Sequence, residues 1–219
     1  YTSSKQFDGL HALAAEHGAP LATPWASGGN DPKNIDANEV GLSLSLLRMQ
    51  TDEMKHGVSE MWAPYEIIRR LDAVYQERGI LQAAANTTSM AFITMGFNEL
   101  GKRVLFWDGI PIIRTDYLVG EEANTGTGSS SDARALFSST KMYSMFLILH
   151  GNVMAMEPGV TFAFGGTQGQ GDLYKLVRFP ELEDFDAGGL RLITYGALLL
   201  GSSLGLARMF DISDVAVII

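Results

Sequence analysis

An α+β fold, with helices early and strands late, is what this sequence predicts, and three observations predict it. Two segments with helical spacing lie between Asp36 and Gly79. Beyond Gly79 the apolar spacing shortens towards two, the period of a pleated strand. Helix and strand signals do not alternate along the chain, as a parallel βαβ fold would require. With 219 residues, 46% of them hydrophobic, the chain can bury a sizeable core in one domain or two tightly joined lobes.

Each element has a local reason. Phe7–Leu10 opens a short amphipathic piece with Leu10, Leu13 and Ala14 on one side. Ala19 to Asn34 reads as a loop, because it holds three prolines and two adjacent glycines. Asp36 or Asn38 suits the cap of a first helix, with Glu39 in its first turn. Val40, Leu44, Leu47 and Met54 then repeat at helical spacing, Arg48, Asp52 and Lys55 take the wet side, and His56-Gly57 ends the run. Ser59 to Pro64 is a short strand candidate, and Pro64 suits the first turn of a second helix. There Ile67, Ile68, Leu71, Val74 and Tyr75 face inward, Glu66, Arg69, Arg70 and Asp72 face out, and Gly79 is the expected stop.

Met90–Phe97 and Arg103–Leu118 read as strands around turns at Asn98-Glu99 and Asp108-Gly109. Pro111 suits an edge or strand-start position. Ile112 and Ile113 then point to opposite faces, and Arg114 and Asp116 offer paired charge to a neighbour. Glu121–Ala133 is a mobile loop by composition. Lys141–Gly151 is a buried strand, and Phe164–Asp172 a glycine-rich turn. Leu173–Phe179 and Gly189–Met209 supply the last strands, and Asp214–Ile219 closes the chain. Leu192 to Ala207 carries no charge, but it is shorter than the roughly 20 apolar residues a bilayer span needs and is interrupted by small residues. It reads as a buried strand or strand pair, not a membrane segment.

Bulk charge narrows the function classes. The net charge of -9 and the absence of any basic run argue against nucleic-acid binding through clustered Lys and Arg. Cysteine is absent, which removes disulfides, thiolate nucleophiles and Cys-based metal sites. Tyr1–Lys5 is no signal peptide and is read as a boundary inside a longer protein.

Known site chemistries fail on specific residues. Gly96 to Arg103 has the G-x-x-x-x-G-K spacing of a phosphate-binding loop, but Arg103 stands where the magnesium-binding Ser or Thr belongs, and a strand follows where a helix should. A surface turn is the plainer reading. Gly201-Ser-Ser203-Leu-Gly205 matches a nucleophile elbow, yet that chemistry needs a His after the Ser, and His150 is the last one. Small residues on a strand approached by another backbone are the plainer reading. His11, His17, His56 and His150 form no zinc-binding pair. Glu181, Glu183, Asp184 and Asp186 lack the oxygen spacing and glycine of a calcium loop, and read as charge facing solvent or a neighbouring subunit's Arg, with weak cation binding as the alternative. No catalytic, cofactor or metal site is assigned, and the chain is expected not to be an enzyme.

Six pieces in sequence order carry a family likeness: Phe7–Leu10 (FDGL); the helix from Asn38 to His56; the strand, proline and helix of Met61–Gly79; Phe106–Leu118 with its Gly109-Ile-Pro111; the strand Tyr143–Asn152 ending in a glycine; and Arg191–Asp214 with its Ala207-Arg208 step. In this order they resemble the C-terminal two-thirds of a tailed-phage major capsid protein of the Hong Kong 97-type fold. The family's N-terminal arm, extended loop and spine helix are not in this sequence. The resemblance implies an axial domain plus part of a peripheral domain. Residues 1–35 would lead into the axial domain, 36–180 would form most of it, and 181–219 would return to the peripheral domain. It further implies a structural subunit that self-assembles into pentamers and hexamers of an icosahedral shell around double-stranded DNA. Partners would be copies of itself, with scaffold, portal or decoration proteins as further candidates; DNA would be met only by non-specific proximity, and no membrane is involved. The setting would be the virion, after synthesis in the host cytoplasm. An encapsulin-like compartment subunit is the alternative within the fold. A nucleotide hydrolase acting through Gly96–Arg103 is the alternative of another class.

Overall fold

The computed structural model describes residues 9–11, 13–14, 34–85, 93–97, 101–122, 141–152, 155–165, 175–179 and 189–218. Its elements are β1 (Asn34–Asp36), α1 (Leu44–Glu53), β2 (Glu60–Ala63), α2 (Tyr65–Ala85), β3 (Ile93–Phe97), β4 (Arg103–Trp107), β5 (Ile110–Arg114) and β6 (Glu121–Glu122). They continue with β7 (Lys141–Ile148), β8 (Val160–Gly165), β9 (Lys175–Phe179), β10 (Gly189–Ile193), β11 (Tyr195–Leu200), a 3-10 turn (Ser203–Gly205) and β12 (Leu206–Ser213). The α+β class holds.

The main sheet is mixed and has eight strands in the order β1-β12-β7-β2-β5-β4-β3, with β6 also beside β7. β1 runs parallel to β12 and β2 parallel to β5; the other pairs are antiparallel. A parallel pair needs a long crossover. Between β2 and β5 that crossover is α2 and the β3-β4 hairpin, and α2 packs back over β3 and β5.

β7 sits inside this sheet with both faces covered. Every residue from Met142 to Ile148 is buried. Successive side chains alternate between faces, so one strand serves two cores. Tyr143, Met145 and Leu147 join Leu47 of α1, Ile67, Leu71 and Val74 of α2, and Leu105, Trp107 and Ile112 of the hairpin. Phe146 and Ile148 join Leu13, Ala14, Val160 and Leu206 on the other face. The N-terminal piece thus packs Leu10, Leu13 and Ala14 as expected, and His11 meets Phe146 edge-on at 4.9 Å between ring centroids.

The same second face holds a buried arginine. Arg208 is 1% exposed. Its guanidinium donates to Ser144 Oγ from Nε and a terminal nitrogen at 3.2 and 3.0 Å. It also lies 5.9 and 5.1 Å from the rings of Phe146 and Phe210, where ring faces favour a cation.

Two helix boundaries differ from expectation. The first helix begins at Leu44, capped by Ser43, whose hydroxyl accepts from Leu46 N. Asp36 belongs instead to β1, and its carboxylate accepts from Asn38 N at 2.8 Å. Asn38 and Glu39 take positive φ values of 54° and 59°, so the chain turns where a helix was expected. The cause is tertiary: Ile35 and Ala37 are buried as residues 34–36 pair with β12, and no helix can start until the chain has turned away. Val40 is consequently exposed and outside the helix.

The second helix does not stop at Gly79 but continues to Ala85. A helix-interior glycine costs only about 1 kcal/mol relative to Ala, and the following Ile-Leu-Gln-Ala-Ala-Ala run is helix-compatible.

Asp108-Gly109 is the expected turn. Trp107 and Ile110 face each other across it, and φ values of 48° and 83° mark a primed hairpin turn. Ile112 is buried and Ile113 exposed, as the alternation requires. Pro111 is not on an edge strand, because β5 lies between β2 and β4. It is instead at the strand start: β2 pairs with β5 only from Ile112 onward, so no β2 partner asks Pro111 for an N–H. Arg114 pairs with Asp116 of its own chain at 2.8 Å and lies over the Tyr65 ring.

The C-terminal residues strap α1 to the sheet. Ile218 N donates to Leu42 O at 2.8 Å, and Leu44 N donates to Ile218 O at 2.9 Å. Asp214 takes both Arg69 and Arg70 of α2. Gly41 allows the crossing, since a Cβ there would come 2.2 Å from Ala216 O.

Leu147→Ala should lower unfolding free energy by about 2–5 kcal/mol, because it opens a cavity between the sheet and both helices. Leu190→Ala on an exposed strand should stay within about 0.5 kcal/mol of wild type. Chemical denaturation of the two variants checks the contrast; equal effects would mean that the core is misplaced. Ser43→Ala should cost about 1 kcal/mol through the lost cap, measured the same way.

Candidate functional site

The enzymatic candidates are taken apart by their surroundings. Gly96 lies in β3 and Lys102 precedes β4, and these strands pair with each other from Ile93↔Trp107 to Phe97↔Arg103. A phosphate-binding loop opens a helix whose N-terminal amides face the phosphate; this segment joins two antiparallel strands. Arg103 is engaged by Asp72 at 3.1 Å. Residues 98–100, with the turn expected at Asn98-Glu99, lie outside the described residues.

Gly201 to Gly205 connects β11 to β12 and holds no strand-to-helix elbow. Ser202 Oγ accepts from Leu204 N at 3.3 Å, the work of a short-turn cap. The glycines answer to backbone crowding. A Cβ on Gly201 would come 2.9 Å from Glu157 O, and one on Gly205 would come 2.9 Å from Gly159 Cα. Gly159 itself has φ +134° and sits against Gly151 N and Leu149 O. Hydrogen bonds close the junction: Gly201 N to Gly159 O at 2.9 Å, Leu149 N to Gly205 O at 3.0 Å, and Val160 N to Leu149 O at 2.7 Å.

His150 lies beside this junction and bonds Glu60 Oε1 through Nε2 at 2.8 Å. His56 is exposed just past α1. His17, the acidic Glu181–Asp186 stretch, most of Glu121–Ala133 and the glycine-rich turn lie outside the described residues. Among the described residues no group of three or more His, Asp or Glu is placed to hold a metal. No described helix is long and apolar enough to cross a membrane.

A polar recess lies where β5 and β7 meet α2, lined by Tyr65, Glu66, Arg114, Asp116, Lys141 and Tyr143. Its charges are mixed. Burial, then the nearby carboxylates of Glu66 and Asp214, push the Tyr143 phenol above its ordinary range.

Among the described residues, β8 to β11 carry several exposed apolar side chains. β8 pairs with β11 and β9 with β10, in two separate two-stranded sheets. β8 to β11, which leave and rejoin the body at the glycine junction, are termed the arm; β10 and β11 are separated by Thr194 alone. At its root Val160, Leu198 and Leu200 pack on the second core. Further out the apolar side chains are uncovered. The rings of Phe162 and Phe164 lie 4.7 Å apart, tilted by 59°, and are exposed. Leu190 and Leu192 are 67% and 60% exposed, and Leu176, opposite Leu192, is exposed too. Tyr195 is 62% exposed. Isolated two-stranded sheets are marginal in water, and a contiguous exposed apolar patch marks a surface with a partner.

This arm corrects the sequence reading of Leu192–Ala207 as buried. The residues do form strands, but β10 and β11 are half-buried or exposed throughout. The buried part is the far end, Gly205 to Ala207. The expected division at 180/181 falls between β9 and β10, which pair with each other, whereas β12 returns to the main sheet. The available signal was Leu190-Arg191-Leu192, an alternating strand pattern; spacing alone cannot tell a core-facing leucine from a partner-facing one.

Comparison with known proteins adds a structural likeness. No protein-family model and no curated protein matches the sequence. Among solved structures, the chain is similar to the SrpI encapsulin in the cryo-EM structure of its holo complex from Synechococcus elongatus, with a TM-score of 0.56 and 13% identity. The match covers 84% of this chain and 55% of that one, so this chain spans about half the length of the protein it resembles. At that identity the likeness concerns the fold.

Raised above its unfolded value, the Tyr143 pKa implies stability that is full below about pH 10 and is lost as pH rises through the folded-state pKa. An ultraviolet titration should show one tyrosine ionising after the others, absent in Tyr143→Phe; a single shared transition would contradict the assigned environment. Gly159→Ala should destabilise by about 1–3 kcal/mol, since it forces a side chain onto a strained φ at the arm root. Thermal melts check this.

Proposed function

We propose that this chain is a structural subunit of a closed protein shell with the Hong Kong 97-type fold, and that its work is assembly, not catalysis. The observation that carries the proposal is the fold likeness to an encapsulin over 84% of the chain. Two further features support it. Six sequence segments follow the order of a tailed-phage capsid protein. The arm leaves apolar strands uncovered in a single subunit, a surface that neighbouring copies can bury.

Two kinds of shell fit this reading. A phage capsid would enclose double-stranded DNA in the virion, built from pentamers and hexamers with scaffold, portal or decoration proteins as partners. An encapsulin-like compartment would enclose protein. The segment order favours the first and the structural likeness favours the second. The acidic net charge of -9 suits an inner wall that faces DNA without gripping it, and it is equally compatible with protein cargo.

The full-length protein, expressed alone and with its neighbouring genes, should sediment as large particles and appear in electron micrographs as closed shells. A homogeneous monomer or small oligomer at high concentration would contradict the proposal. Nuclease-protected DNA inside the particles would identify a capsid, and co-purifying protein a compartment. Lys102→Ala should leave particle yield unchanged, and magnesium-nucleotide should not bind; saturable nucleotide binding lost in Lys102→Ala would revive the hydrolase reading.

A further inference from the structure

The polar recess at the start of α2 holds two charges without an ion-pair partner. Among the described residues, Glu66, Arg114, Asp116 and Lys141 are the charged groups that line it. Arg114 and Asp116 pair with each other at 2.8 Å, and the Arg114 guanidinium also lies over the Tyr65 ring. Glu66 and Lys141 form no ion pair, either with each other or with another described residue. Both are nonetheless held in place. Glu66 sits in the first turn of α2, where a carboxylate is favoured, beside the buried phenol of Tyr143. Lys141 is two residues before Tyr143 on β7, so the two share a face. The Lys141 stem lies against Gly120, where a Cβ would come 3.0 Å from Lys141 Cβ. The recess has a volume of about 400 Å³, within the range of about 300–1,000 Å³ of small-molecule sites. Leu118 and Val119 add apolar wall.

We infer that this recess binds a small zwitterion, a molecule with both an ammonium and a carboxylate, as a free amino acid has. Its ammonium meets Glu66, its carboxylate meets Lys141, and the carbon atoms between them lie along Leu118 and Val119. A lone anion would satisfy Lys141 but add negative charge beside Glu66, and a lone cation would do the reverse at Lys141. Either brings like charges together in a confined space, which is unfavourable. One molecule carrying both charges satisfies both side chains and leaves the recess neutral. Hydrogen bonds between ionised partners are the stronger kind. They also fix the orientation, since a reversed ligand would set ammonium against Lys141 and carboxylate against Glu66. The Arg114–Asp116 pair is already satisfied and serves as wall. The inference goes beyond the shell reading and is independent of it, because α2, β5 and β7 build the recess within the body of one subunit.

The test uses the full-length protein and a ladder of amino acids with increasing charge separation: glycine, β-alanine, γ-aminobutyrate and ε-aminocaproate. Titration calorimetry should show saturable binding of at least one of them, and the tightest member reads the span between the two side chains. Blocking either end of that probe, as its N-acetyl or its methyl ester form, should raise Kd by about tenfold or more. Glu66→Gln and Lys141→Met should each raise it by a similar factor. Should either variant fold poorly, the blocked probes still decide, because they act on the wild-type protein. Saturable binding by none of the probes overturns the inference. Equal binding of free and blocked forms overturns it, since the two charges would then not be recognised. Binding that survives both substitutions lies elsewhere on the protein and overturns it too. None of these outcomes touches the shell reading, which is judged by sedimentation and micrographs.

Discussion

The burial of β7 on both faces is the constraint from which the rest of the structure follows. Met142 to Ile148 have no solvent side. Tyr143, Met145 and Leu147 require α1 and α2 above them, and Phe146 and Ile148 require the N-terminal piece and the arm root below. Its backbone is held on both edges, by β12 on one side and β2 on the other, with β6 beyond. Register is therefore fixed tightly, because a one-residue slip would exchange the two cores. The bulge at β12 shows the constraint working. Two residues, Phe210 and Asp211, oppose one position of β7, and Asp211 takes a φ of 61°. Their carbonyls accept from Ala37 N and Glu39 N, which anchors the turn before α1.

The second consequence is a division of labour between body and arm. The body closes its own core and straps its C-terminus down through Asp214 and Ile218. The arm departs where Gly151, Gly159, Gly201 and Gly205 let backbones meet closer than side chains would allow. Near that root its apolar residues are packed, and with distance they become exposed. A soluble monomer gains nothing from leucines at the far end of a two-stranded sheet. In the proposed assembly a neighbouring copy would cover the same residues.

Much of the fold was legible from the residues, and the failures share a cause. The Asp108-Gly109 hairpin, the Ile112/Ile113 alternation, the buried β7 and the inward face of α2 follow from spacing and turn chemistry alone. The start of α1 was misread because Asp36 and Asn38 are good caps in isolation, and only pairing with β12 removes them from the helix. Gly79 was misread because one glycine is too weak a signal against a strong helical run. Pro111 was half read: its strand-start role is local, but whether β5 is central depends on a parallel partner fifty residues earlier. The arm was the largest miss. Leu190, Leu192 and Tyr195 look like core residues in sequence because apolar area destined for a partner and apolar area destined for the interior obey the same alternation. Arg208, which closes the uncharged Leu192–Ala207 run, is buried against Ser144 and two phenylalanines, a placement that nothing in the spacing signals.

On the proposed shell reading, the body is complete in one subunit and the arm is completed by another. Hydrogen exchange on the full-length protein, compared before and after assembly, tests it most directly. Amides of β7 and its β12 partners should exchange only through global unfolding in both states. Amides of β8 to β11 beyond the glycine root should exchange quickly in the free subunit and become protected on assembly. Equal protection of the arm in both states, or early exchange of β7 in the free subunit, would contradict the account.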